Sequence, residues 1–133
     1  PVWSPVVSAD AVEIGRPAMS RTEGRPVEVT FTLTNRGAGH RIPSGDFGYR
    51  KLRVAVMLLD RQGQIIGLAE QSVFPGDDLT LAPGVATAFR LPVAIPTNAR
   101  ADRVRILVER VNRDRSFQYT LVEGEWPMIP PGH

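Results

Sequence analysis

Between Val27 and Thr34 apolar and polar residues alternate without a break, with Val27, Val29, Phe31 and Leu33 set against Glu28, Thr30, Thr32 and Thr34. Successive side chains of an extended chain point to opposite faces, so such a run offers one face to a core and the other to water. A helix cannot use it. The pattern recurs in Leu52, Val54, Val56 and Leu58, with Lys51, Arg53, Ala55 and Met57 on the opposite face. It recurs again in Phe89, Leu91 and Val93, in Val104, Ile106 and Val108, and in Phe117, Tyr119 and Leu121. Asp60-Arg61-Gln62-Gly63 reads as a hairpin turn into a return strand over 64–74, and Leu81-Ala82-Pro83-Gly84 turns the chain into a strand over 86–95. A short strand around 11–14 brings the total to about seven. Twelve Gly and twelve Pro punctuate these runs, and no useful window prefers the helical period. The expected fold class is all-β: a single antiparallel β-sandwich, immunoglobulin- or fibronectin-like, with a closed barrel as the lesser option.

At 133 residues the chain has the size of one domain. We expect one sandwich spanning 1–133, with a core of about 10–123 between Pro-rich, extended ends suited to be linkers. There is no cysteine, which removes the immunoglobulin disulfide, any Cys-based zinc site, a thiol nucleophile and covalent haem attachment through C-x-x-C-H. Stability must come from apolar burial, for which 42% hydrophobic residues suffice. The pI of about 9.7 overstates the basicity. Lys51 is the one lysine among 16 basic residues, the rest are Arg, and the net charge is only +2, so little titrates between neutrality and strongly basic pH. A nearly neutral chain with interspersed signs does not read as a nucleic-acid binder. No apolar run is long enough for a membrane span, and no stretch of the given sequence reads as a signal peptide.

One segment stands apart. From Asn35 to Arg50 runs Asn-Arg-Gly-Ala-Gly-His-Arg-Ile-Pro-Ser-Gly-Asp-Phe-Gly-Tyr-Arg, with four glycines, a central Pro43 and His40. A connection this long is more often functional than decorative. The bland reading makes His40 a turn-organising side chain; the sharper one makes it a metal or haem ligand, since neutral imidazole suits iron, copper and zinc. No second His lies at zinc spacing, and His133 contributes only if the tail folds back. Ser44, His40 and Asp46 have the residue types of a hydrolytic triad, but one short loop cannot easily align them and no G-x-S-x-G elbow is present. Asp77-Asp78 reads as a solvated turn rather than a calcium site. Trp3 and Trp126, flanked by Pro near the two ends, read as core or linker anchors rather than a sugar platform. No acid–base pair or nucleophile is recognisable, and we do not expect an enzyme.

The loop, together with Tyr49-Arg50-Lys51-Leu52-Arg53-Val54 after it, resembles the C-terminal β-sandwich domain of multihaem c-type cytochromes of the cytochrome c-554-like group, with its N-x-G-A-G-H-x-x-P-[TS]-G signature. The resemblance covers roughly 27–111. It implies a periplasmic or extracellular module that packs against haem-bearing segments, with His40 abutting or ligating the iron. It also implies that Gly37, Gly39, Pro43, Ser44 and Gly45 shape the loop, that Asn35 and Arg50 brace its ends, and that Arg36, Arg41 and Arg50 are available to propionates or a partner. Arg is well suited to such pairing. The chain departs from the group in having no C-x-x-C-H. It holds no covalent haem, and any haem it touches is held by a partner domain or subunit or bound only through His40. The first expectation is therefore a non-catalytic, haem-facing module of an electron-transfer system. The alternatives are a structural or interaction domain of a periplasmic or cell-surface protein, and a small copper- or haem-binding protein using His40. The sequence does not fix the oligomeric state.

Overall fold

The structure, a computed structural model, describes residues 12–37, 41–43, 50–112 and 118–128. Eight strands carry the described chain: β1 (Val12–Ile14), β2 (Ala18–Ser20), β3 (Val27–Asn35), β4 (Arg50–Leu59), β5 (Ile65–Val73), β6 (Ala86–Val93), β7 (Arg103–Asn112) and β8 (Gln118–Pro127). They form two antiparallel sheets. In the first, β1 and β2 follow one another along one edge of β3 while β6 pairs its other edge; the second has the order β5-β4-β7-β8. The chain crosses between sheets three times, from β3 to β4, from β5 to β6 and from β6 to β7, which makes this the expected sandwich.

The alternation read from the sequence sets the register. Val27, Val29 and Phe31 of β3 lie opposite Val93, Leu91 and Phe89 of β6. Leu52, Val54, Val56 and Leu58 form the buried face of β4, the last three opposite Val108, Ile106 and Val104 of β7. These rows meet between the sheets as one core, where the rings of Phe31 and Phe89 stack with centroids 5.5 Å apart. Asp60 closes the β4–β5 hairpin by accepting from the Gln62 and Gln64 amides, both at 2.9 Å, while Gly63 adopts φ 82°, which a side chain would strain.

Three features differ from the sequence reading. Among the described residues there are eight strands against an expected seven or so, because β2 has only three residues and no alternation long enough to register. β8 runs to Pro127, with Trp126 and Met128 packed on the core and the Met128 amide bonded to the Asp102 carbonyl at 2.8 Å, so ordered structure extends beyond the expected boundary near 123. Ala55 and Met57, on the outward face of β4, are buried. Ala55 lies in register between Glu70 and Leu107, and Met57 between Leu68 and Arg105, whose side chains flank them. On the same face Arg53 bonds Glu70 of β5 and Glu109 of β7, tying three strands together.

Candidate functional site

The β3–β4 and β5–β6 connections leave the sandwich at the same end. Thr34 pairs with Ala86 and Leu52 with Val73, so the end of β3 lies beside the start of β6, and the start of β4 beside the end of β5. The two connections are also bonded to each other. The Ile42 amide donates to the Leu81 carbonyl at 3.1 Å, and the Leu81 amide donates back to Ile42 at 2.8 Å. Both side chains belong to the buried core, so an apolar plug closes the mouth between the sheets at the point where the backbones pair. Pro43 is buried behind it, after a cis Ile42–Pro43 peptide.

Asn35 completes the base. Its side chain is 1% exposed, its Nδ2 donates to the Leu81 carbonyl at 3.2 Å, and its own carbonyl accepts from the Gly84 amide at 2.9 Å. Gly84 sits at φ 71°, a conformation in which a Cβ is disfavoured. Asp77 organises the upstream half of the second connection: its Oδ2 accepts from the Phe74 amide at 2.8 Å, and its carbonyl accepts from the Thr80 amide and hydroxyl. Asp77 is a turn residue. Among the described residues no group of three or more His, Cys, Asp or Glu has metal-ligand spacing.

The expected site residues divide into two sets. His40, Gly39, Ser44 and Gly45 lie outside the described residues, as do His133, Asp46 and Trp3. Asn35, Arg36, Gly37, Arg41 and Pro43 are described, and Arg50 opens β4 with its backbone paired to Asn112. Asn35 is buried at the start of the loop and bonded to the second connection. Arg36 bonds Glu13 through Nε and a terminal nitrogen at 3.1 and 2.9 Å, an exposed pair that contributes little stability. Arg41 donates to the Thr80 hydroxyl at 3.1 Å, linking the loop to the second connection again. Both guanidinium groups are engaged with the domain itself. No histidine or cysteine lies among the described residues, so any fit to a haem iron depends on the undescribed His40.

The sequence reading missed three participants. Leu81 was read as part of a turn and Thr80 was not singled out, yet both are bonding partners of the loop base. Arg110 occupies the inward register position opposite Leu52, half-buried at the same end of the core, and is engaged with its surroundings. A signal for it existed. The alternation Val104, Ile106, Val108 calls for an apolar residue at 110, and the chain has Arg there.

No family model matches the chain, and no curated protein matches it. Among solved structures, it is similar in fold to a penta-haem cytochrome c552 from Thermochromatium tepidum, at a TM-score of 0.61 and 13% identity over 90% of this chain. The chain spans 40% of the length of that cytochrome. A Northeast Structural Genomics Consortium target and a Bordetella pertussis protein match at TM-scores of 0.44 and 0.43, with 15% and 13% identity over 91% and 92% of this chain and 86% and 94% of theirs. Those two likenesses are too loose to carry an argument. The chain thus shares its all-β sandwich with part of a multihaem cytochrome.

Proposed function

We propose that this chain is a non-catalytic β-sandwich module of a multihaem electron-transfer system in the periplasm or outside the cell. Its glycine-rich loop faces a haem held by another segment or subunit. The observation that carries the reading is the doubly anchored loop base. Asn35, Ile42 and Pro43 are buried and tied to Leu81 and Gly84, so the segment bearing the N-x-G-A-G-H-x-x-P-S-G motif departs from and returns to a rigid platform. Rigid support is what a group positioned against a macrocycle requires. The fold shared with part of a penta-haem cytochrome supports the same reading.

His40 is the residue assigned to abut or ligate the iron, and haem would supply the redox chemistry. The chain's own residues brace the loop and present its backbone. With no cysteine, covalent attachment belongs to other residues. The test is a ferric haem titration of the wild type and of His40→Ala, with far-UV circular dichroism as the folding control. A Soret shift in the wild type that is lost in the variant supports ligation; identical spectra remove it. Several C-x-x-C-H motifs in the adjoining coding sequence would support a haem-bearing neighbour.

A second reading has an observation in its favour. Arg36 and Arg41 both bond to the domain itself, which suits a structural domain whose loop is only a rigid corner. Unchanged spectra together with no C-x-x-C-H motif nearby would favour it.

A further inference from the structure

We propose that Arg110 is a recognition residue at the crossover end, pairing with a propionate carboxylate of the haem that the loop faces. The inference rests on the reading above and extends it from the iron to the charged edge of the macrocycle. The inward positions of β7 are Val104, Ile106, Val108 and Arg110. The first three are fully buried, and a fourth aliphatic residue would complete the face. The chain instead places a guanidinium there, opposite Leu52, which is itself fully buried. Holding a charge partly out of water is costly, and the cost is offset only where the group meets an anion or acceptors.

Where that charge lies follows from what surrounds it. Leu52 beside it, Val73 beyond Leu52, and Val54 and Val108 one row further in are all fully buried. Arg110 is only half-buried. Its aliphatic stem therefore fills the layer while its head is drawn toward the outer end of the sheet, where β7 stops at Asn112. Arg50 pairs with Asn112 there, so the β3–β4 connection returns to the sandwich at the same place. Arg110 is engaged within the domain, but a guanidinium has five N–H donors in a planar fork, enough to keep a partner and add a carboxylate. Partial burial strengthens such a pair, which sets Arg110 apart from Arg36, whose bond to Glu13 is exposed. Haem is an apolar disc with its carboxylates on one edge. A half-buried cation set among aliphatic side chains at the mouth of the sandwich matches both parts.

Soret titrations with ferric haem and with its dimethyl ester, in the same mild detergent at neutral pH, test this. The wild type should bind the free acid about tenfold more tightly than the ester. Arg110→Gln should lose that preference while the bound Soret position, which reports His40, stays unchanged. Arg110→Lys keeps the charge without the fork and should retain part of the preference. Each comparison is made within one protein, so a general loss of stability, which weakens both forms alike, does not imitate the result. A wild type that binds both forms equally, or an Arg110→Gln that keeps the wild-type preference, would overturn the proposal and leave the haem-facing reading in place. A wild-type Soret band that responds to neither form would overturn both.

Discussion

Asn35 ends β3 and at the same time locks the second connection, with its amide on Leu81 and its carbonyl on the Gly84 amide. Removing the buried amide takes one of two donors from the Leu81 carbonyl, which keeps the Ile42 amide, so Asn35→Ala should cost about 0.5–1.5 kcal/mol in urea unfolding. Arg53 plays a comparable part on the outward face. Its pKa is raised above an already high value, chiefly by the bond to Glu70, so it stays charged at any working pH. Glu109, 8% exposed, depends on it. Arg53→Met should destabilise more than Arg53→Met combined with Glu109→Gln, since the double change removes the buried negative charge along with the guanidinium that balances it. A double-mutant cycle measures the difference. Glu125 gives a dependence on pH. Bonds from Arg105 and then Arg103 hold its carboxyl below the ordinary glutamate value of 4.5. A folded-state pKa below the unfolded one stabilises above the unfolded value, and the gain is lost as pH falls through the folded one. The Tm advantage of wild type over Glu125→Gln should therefore hold at neutral pH and be lost progressively as the pH falls below the ordinary glutamate value.

The long strands were legible because each has one buried face, and period-two alternation is the direct imprint of that geometry. β3 and β4 show it most clearly. β2 was not legible, since three residues held on the edge of β3 leave no periodic trace. Nor was the burial of Ala55 and Met57, which depends on long side chains of neighbouring strands. The Ile42–Leu81 bridge joins segments far apart in sequence, and nothing local announces it. The glycine-rich loop was legible as unusual; its buttress was not. Where β5 meets the end of β6, Gly67 is enclosed. A Cβ there would lie 2.7 Å from the Ala94 carbonyl oxygen and 2.8 and 2.9 Å from side-chain atoms of Ile95 and Val93. Gly67→Ala must displace backbone as well as side chains, and should cost about 1–3 kcal/mol in chemical denaturation.

At the scale of the molecule, the sandwich has two surfaces with different chemistry. The crossover end is held rigid by Asn35, the Ile42–Leu81 pairing and the Arg41–Thr80 bond, and it carries the motif loop. The β5 flank is apolar and nearly uncharged. The crossover-end assignment is tested most directly with a c-type haem peptide that has one vacant axial position, which stands in for a haem held elsewhere. Titrated with the wild-type chain, its Soret band should shift to the low-spin form. With His40→Ala, at unchanged far-UV circular dichroism, the shift should be lost. A haem-peptide spectrum that responds equally to both proteins, or to neither, would contradict the assignment of the loop to a haem.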